Sequence, residues 1–236
     1  MSVRIVLLGP PGSGKGTLAQ TLSGHFTLPH LSTGDMFRRE IARRSALGRT
    51  VQAYVESGRL VPDELVVRVM TKQLTPRMLQ RGFVLDGFPR TVGQADGLNR
   101  YLTAKRRPLD GAVYLACSSQ VLIRRLSGRR VCKACGAIYH VRNMRPKRAG
   151  ICDRCGGALI TRKDDAVSTI ATRLAVDRAK VKPLLAYYRT RRLLFRIDSN
   201  ETNEKTFRRI QQLFGRQSWA CPAPRGGGKR DRAQDA

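Results

Sequence analysis

The stretch Gly9-Pro-Pro-Gly-Ser-Gly-Lys-Gly-Thr17 follows the apolar run Ile5 to Leu8 and precedes a helix-compatible segment, Thr17 to Leu22. A short strand passing through a glycine-rich turn into a helix leaves the helix's first N–H groups pointing into the turn, where they receive anions. Gly9, Gly12 and Gly14 let the backbone approach phosphate oxygens around Ser13, and the Lys15 ammonium can reach the outer phosphates of a nucleotide. In the common phosphate-loop pattern a hydroxyl residue follows the lysine; here Gly16 intervenes and Thr17 comes one place later. The plainer alternative is a glycine-rich turn that binds nothing, and the strand before it and helix after it weigh against that.

A second constellation is Cys132-Lys-Ala-Cys135 with Cys152-Asp-Arg-Cys155, separated by sixteen residues. Each C-x-x-C turn offers two thiolates from one side, and four thiolates suit tetrahedral zinc with no open position, so the metal reads as structural. Iron is the minor competitor, because thiolates also suit it. A pair of disulfides or a redox dithiol is the other alternative; a reducing compartment argues against the first and the lack of a thioredoxin-like context against the second. Cys117 and Cys221 stand alone, one in a core strand and one in the C-terminal tail.

Moving a phosphoryl group requires several negative oxygens to be neutralised while water is kept out, and the planar fork of arginine suits this better than lysine. Arg38, Arg90, Arg125, Arg129, Arg162 and Arg173 stand at strand ends or at the edges of the cysteine module. Singly, each reads as a solvated surface residue; their placement raises them above that. Asp86 ends the apolar run Gly82 to Asp86, and the C-terminal ends of parallel strands are where ligands bind. His25, His30 and His140 show no metal or triad spacing.

The elements that must position these residues alternate. Strands are expected at Ile5–Leu8, near Leu28, at Gly82–Asp86, at Gly111–Cys117 and at Phe195–Asp198. Helices are expected after the glycine loop, from Thr33 or Asp35 to about Ser45, over Leu47–Glu56, from Pro62, over Gln120–Leu126, over Thr169–Arg192 despite Pro183, and over Thr202–Phe214. Such alternation predicts an α/β fold, a parallel sheet with helices on both faces. Arg129 to Asp165 shows no core-like alternation, and the chain beyond Gly215 is too poor in apolar residues to fold.

With 236 residues, 41% of them hydrophobic, the chain can bury one sizeable core with smaller inserted modules. It shows no apolar run of membrane-spanning length and no secretory leader, so a cytoplasmic location is expected. A formal charge of +28 favours polyanions, either nucleotides or nucleic acid. The segment 215–236 accounts for only +3 of it, so the basicity belongs to the rest of the chain.

Taken together, Gly9 to Thr17, Ser32-Thr-Gly-Asp-Met-Phe-Arg38, Gly58-Arg-Leu-Val61, Leu85-Asp-Gly-Phe-Pro-Arg-Thr91 with Gln94, Gly128-Arg-Arg130, Ile138-Tyr-His140 and Thr161-Arg-Lys-Asp-Asp165 closely resemble the adenylate kinase family in its long, zinc-bearing form. That family's loop also reads G-x-P-G-x-G-K-G-T, which accounts for Gly16. The resemblance implies a phosphate-loop core of five parallel strands (residues 1–31, 62–127 and 166–214), a helical AMP-binding insert (32–61), a zinc-binding lid (128–165) and a basic tail (215–236). It implies reversible magnesium-dependent transfer from ATP to AMP in a monomer. By matched position, Gly12, Ser13, Gly14, Lys15, Gly16 and Thr17 would hold the ATP phosphates, with Arg129, Ile138 and Tyr139 over them. Thr33, Arg38, Arg59, Leu60, Val61, Gly87, Arg90 and Gln94 would bind AMP. Arg125, Arg162 and Arg173 would clamp the transferring group, and Asp86 would orient magnesium through its waters. Cys132, Cys135, Cys152 and Cys155 would hold zinc.

Two departures stand out: Gly93, where proline is frequent, and Ser199, where glycine is usual near the adenine. The rival readings are a kinase for another nucleoside monophosphate, against which Thr33 speaks, and a basic zinc-ribbon protein that binds nucleic acid. The cysteine module carries no run of aromatic residues for base stacking, which weakens the latter.

Overall fold

The computed structural model describes residues 2–215, so residues 216–236 of the tail, Cys221 among them, lie outside the described residues. Five strands form one parallel sheet: β1 (Val3–Leu8), β2 (His30–Ser32), β3 (Gly82–Asp86), β4 (Gly111–Ala116) and a last strand at Leu194–Asp198, in the order β2-β3-β1-β4-last. β1 sits in the middle, paired in parallel with β3 (Val3 with Gly82 through Leu7 with Asp86) and with β4 (Ile5 with Gly111 through Leu8 with Tyr114). All six residues of β1 are buried. A parallel sheet covered on both faces calls for that continuous apolar reading. The alternation divides the core: Ile5, Leu7 and Val84 pack with Leu18, Leu22 and Ile210 on one face, while Val6, Leu8, Phe83 and Leu85 pack with Leu98, Leu102 and Tyr188 on the other. Arg4 is the exception in β1; buried, it is paired with Asp110 at 3.2 Å and donates to the Pro108 carbonyl at 2.7 Å.

The helices are α1 (Lys15–Phe26), α2 (Thr33–Ala42), α3 (Ala46–Ser57), α4 (Asp63–Gln73), α5 (Pro76–Arg81), α6 (Val92–Ala104), α7 (Ser119–Ser127), α8 (Val167–Thr190) and α9 (Asn203–Gly215). α2 starts at Thr33, the earlier of the two expected positions, and its cap is Ser32, whose Oγ accepts from the Asp35 amide. That frees the Thr33 hydroxyl to reach across to Gly87. The short α5, opened by Thr75 and Pro76, was not expected, since six residues show no full apolar period.

Residues 129–165, which stand outside the alternation of the core, hold a second, antiparallel sheet: β5 (Arg129–Cys132) in the centre, with β6 (Ile138–His140) and β7 (Leu159–Ile160) beside it, β8 then being the strand Leu194–Asp198. Strands of two to four residues are too short to display alternation. Little apolar surface holds them: Cys132, Ala137, Tyr139 and Cys152 are the buried group, with Leu159 against it. Among the described residues, no helix is long and apolar enough to cross a membrane.

Candidate active site

The loop after β1 enters α1 through Gly14, whose φ of 94° is left-handed and whose cap position has no side-chain acceptor. The first amides of α1 therefore keep no protein partner at the cap and face the loop. Gly12 also has a positive φ of 85°, and a Cβ there would lie 2.9 Å from Leu126 Cγ and 3.0 Å from the Leu122 carbonyl, so α7 shuts out any side chain. Lys15 Nζ donates to the Gly9 and Pro10 carbonyls at 2.6 and 2.9 Å, curled over its own loop. Burial is the main reason its pKa falls from 10.5 to about 8; the carboxylates of Asp86 and Asp177 oppose the fall.

The loop floors a cleft of about 520 Å³ at the C-terminal edge of the sheet. Gly12, Gly14, Lys15, Gly16 and Thr17 line its floor, while Ser13 is buried beneath it. Asp86 at the end of β3 and Ile138 and Tyr139 of β6 form its walls. A smaller recess of about 60 Å³ opens beside it, lined by Thr33, Arg38, Arg59, Leu60, Val61, Gly87, Arg90 and Gln94. Two contacts shape that recess. The Gly87 carbonyl accepts from Thr33 Oγ1 and from Arg90 Nε, both at 2.9 Å. Gln94 Oε1 accepts from the Arg90 amide at 2.8 Å, while its amide nitrogen donates to Asp63 at 2.9 Å.

Where the two spaces meet, arginines and carboxylates alternate. Asp165, whose side chain has no exposed surface, binds Arg129 at 2.7 and 2.5 Å and Arg173 at 2.9 Å. Asp164 binds Arg173 at 3.1 Å and Arg38 at 3.5 Å, and Asp35 binds Arg38 and, at 3.2 Å, Arg162. Removing one member of the buried pairs around Asp164 and Asp165 leaves the other uncompensated, at a cost of about 3–5 kcal/mol. Crowding of like charge is visible in Arg162, pushed down to about 10 by burial first and by Arg38 and Arg129 after it. It still carries its charge at neutral pH.

Arg38, Arg90, Arg125, Arg129, Arg162 and Arg173 all line the cleft. The Arg125 guanidinium donates to the Glu201 and Asn200 carbonyls at 2.7 and 3.4 Å. Tyr139 divides its roles. Its ring borders the cleft, while its hydroxyl lies 3.5 Å from Cys152 Sγ and accepts from the Asp153 amide at 2.8 Å. Ser199 turns inward, its amide and hydroxyl both donating to the Ala116 carbonyl, and Asn200 to Glu204 line the cleft in its stead.

Several acidic positions escaped sequence reasoning. Asp35, Asp164 and Asp165 stand inside the recognised motifs with no role given, yet they order the arginines. Asp177 lines the cleft four residues after Arg173, and that helical i, i+4 spacing is the one signal the sequence offers for it. Asp63 holds both Thr91 and Gln94, at 2.6 and 2.9 Å.

The four cysteine sulfurs all lie within 4.8 Å of one another, with Cys132 to Cys155 at 3.5 Å and Cys135 to Cys152 at 3.6 Å. A disulfide needs about 2.05 Å, and all four are free thiols. Metal–sulfur bonds of about 2.3 Å in a tetrahedron put sulfurs about 3.8 Å apart, so the set fits a four-coordinate metal ion. Cys152 is the readiest to ionise, drawn down to about 6 chiefly by the Tyr139 hydroxyl.

A glycine cradle at the edge of a parallel sheet, a lysine over it and a ring of arginines between two recesses define a phosphate-loop phosphotransferase. The family model described as adenylate kinase matches residues 7–193. The adenylate kinase of Clostridium tetani is 41% identical over 213 residues, and that of Clostridium beijerinckii 43%, each comparison covering 90% of this chain and 99% of the relative. The adenylate kinase of Moorella thermoacetica is 44% identical over 214 residues, covering 91% and 99%. The chain belongs to the adenylate kinase family.

Proposed function

We propose that the protein catalyses the reversible, magnesium-dependent conversion of ATP and AMP into two ADP. The observation that carries this reading is that Arg38, Arg90 and Arg173 line both the large cleft and the small recess. Two nucleotides seated in the two spaces would meet phosphate to phosphate among cations that neither has to recruit. An AMP phosphate oxygen then attacks the terminal phosphorus of ATP, and the bond from that phosphorus to the departing ADP oxygen breaks. No protein nucleophile is required; alignment and fixed positive charge do the catalysis.

Lys15 and the amides from Gly12 to Thr17 would hold the ATP phosphates, and Thr33, Arg59, Leu60, Val61, Gly87 and Gln94 the AMP. Arg129, Arg162 and Arg173 would neutralise the transferring group, with Arg125 serving the donor nucleotide's far end. Magnesium, when bound with ATP, supplies further charge neutralisation, and Asp86 is the carboxylate at the strand end suited to hold its waters. The cysteine set is assigned to zinc, which suits four thiolates in a closed tetrahedral site.

We read residues 32–61 as an AMP-binding insert and 128–165 as a lid on the remaining core. The contacts of Arg162 with Asp35 and of Lys163 with Glu56, the latter at 3.2 Å, support a lid that closes on the insert and keeps water from the phosphorus. A monomer in the cytoplasm fits this reading. Coupled measurement of ADP from ATP with AMP, UMP, CMP or GMP tests it: AMP is expected to be preferred by a wide margin, and a preference for a pyrimidine monophosphate would overturn it. Metal analysis of protein purified under reducing conditions tests the zinc, with one equivalent expected.

A further inference from the structure

Charge in residues 128–165 is sorted by direction. Ten of these residues are lysine or arginine and three are aspartate. Asp164 and Asp165 are buried against Arg38, Arg129 and Arg173. The third, Asp153, is occupied at Oδ1 by the Lys147 amide at 2.9 Å. Two of the three acids thus serve the inside of the module and Asp153 sits exposed in the second cysteine turn, while seven of the ten cations are exposed.

Four of those outer cations gather at the cysteine tip. Lys133 lies within the turn Cys132–Cys135 and Arg154 within Cys152–Cys155, two turns apposed through sulfurs 3.5 and 3.6 Å apart. Lys147 and Arg148 are tied to the second turn by the Lys147 amide bond to Asp153 and by the Ile151 amide bond to the Arg148 carbonyl at 3.2 Å. All four are exposed, none lines the nucleotide cleft, and none makes an ion pair among the described residues. Unpaired like charges reinforce one another's potential over a Debye length of about 8 Å, and these four stand on two apposed turns and the segment tied to them. A metal-braced turn cannot splay to relieve it.

We propose that this tip is a docking surface for the phosphodiester backbone of double-stranded nucleic acid, read by charge and not by sequence. Single strands are bound by stacking bases on exposed aromatics. The module's one aromatic residue other than histidine, Tyr139, is buried with its hydroxyl turned to Cys152, so that mode is closed to it. A duplex presents about one negative charge per 1.7 Å of axis and needs only fixed cations. None of the four cations lines the cleft, so binding there requires nothing of the kinase reaction.

The test is fluorescence anisotropy of a labelled 20-base-pair duplex, as RNA and as DNA, titrated with the full-length protein over a range of salt. A single strand of the same length and a polyglutamate of matched charge serve as competitors. Lys133→Ala, Lys147→Ala, Arg148→Ala and Arg154→Ala are combined in one variant. Arg68→Ala, Lys72→Ala, Arg77→Ala and Arg81→Ala, on α4 and α5, are combined in another with the same reduction of charge. Lys147→Glu with Arg148→Glu gives a third that leaves both cysteine turns untouched, so a misfolded tip cannot mimic the result. Both duplexes are expected to bind; the first and third variants weaken binding at least tenfold, and the first flattens the log–log salt slope by about three to four, near 0.9 for each phosphate no longer neutralised. The α4–α5 variant changes affinity less than twofold, and all three keep wild-type turnover. Equal weakening by the first two variants would make the attraction one of net charge alone and overturn the proposal. So would absence of duplex binding, or competition by the single strand or polyglutamate as strong as by the duplex.

Discussion

Ile138 of β6 closes directly over Gly16: a Cβ at Gly16 would lie 3.3 Å from Ile138 Cδ1 and 3.4 Å from Asp86 Oδ2. The glycine that follows the lysine is therefore set by what lies above it, and the hydroxyl residue is displaced to Thr17. Restoring the common pattern with Gly16→Ser would hold β6 off the loop. We expect the KM for ATP to rise about tenfold, equivalent to about 1.4 kcal/mol, with the KM for AMP within twofold of wild type. Steady-state kinetics with each substrate varied in turn checks this; an unchanged KM for ATP would show that β6 does not need to settle there.

Lys15 sets a conflict between stability and activity. Its pKa of about 8 lies below the ordinary 10.5, so the folded chain binds fewer protons than the unfolded chain between those values, and stability rises with pH across that window. At neutral pH the buried ammonium accordingly costs the fold about 1–3 kcal/mol. Lys15→Met should abolish turnover yet melt several degrees higher than wild type at pH 7, with the difference shrinking towards pH 10. Charge on Lys15 is lost as pH climbs through 8, so log kcat/KM for ATP should bend downwards there. A Lys15→Met protein that melts lower at pH 7 contradicts the assignment.

Much of this site could be read from the chain because its parts are local. The glycine loop, Asp86 at a strand end and the paired cysteines each sit within a few consecutive residues, and the apolar runs of β1, β3 and β4 are long enough to reveal a covered parallel sheet. What escaped depends on partners distant in sequence. The turn of Arg125 towards Glu201 is decided by where α7 meets the loop after β8, and no spacing encodes it. β5 to β7 are short, and their pairing is secured by the cysteine tip more than by apolar periodicity. Asp177 is one acid on a long helix, and only the surroundings of that helix give it meaning.

The hydroxyl of Tyr139 joins the cleft wall to the metal set by meeting Cys152 Sγ and the Asp153 amide. Partners one shell out from a metal ligand commonly change affinity by about 10–100-fold when removed. Tyr139→Phe keeps the ring and deletes the bridge, so zinc affinity, measured by competition with a chromophoric chelator, should fall by about tenfold or more. Thermal stability should follow it, as metal binding and folding of so small a sheet are linked. Retention of full affinity would mean that the sulfurs alone position the ion.

Asp35 joins α2 to the far end of the cysteine module, meeting both Arg38 and Arg162. Its side chain is 44% exposed, so solvent discounts the pairing to about 0.5–1 kcal/mol. Asp35→Asn should shift the nucleotide-free protein towards a more open arrangement, seen as a longer mean distance between fluorophores on residues 49 and 145, while the fully liganded distance stays unchanged. Identical distances in the free proteins would remove this pair from any account of closure.

Asp177 faces Lys15 of α1 and Arg90 of the loop after β3, with Asp86 of β3, Arg173 of its own helix and Tyr114 of β4 around the same space. Burial raises its own pKa, and the two cations oppose that rise. A carboxylate in this position favours the charged form of Lys15, and removing it should lower the lysine's pKa further below 8. Asp86 is the stronger of the two supports. Chemical shifts of the lysine ε-carbon, followed by NMR on nucleotide-free protein, should therefore show the Lys15 midpoint falling in Asp177→Asn and falling more in Asp86→Asn. Asp110→Asn, at the opposite end of the sheet beside Arg4, should leave it in place. Because the readout is the titration of one side chain, it separates an electrostatic role for Asp177 from a merely structural one: a midpoint that stays at about 8 in Asp177→Asn would assign the support of Lys15 to Asp86 alone.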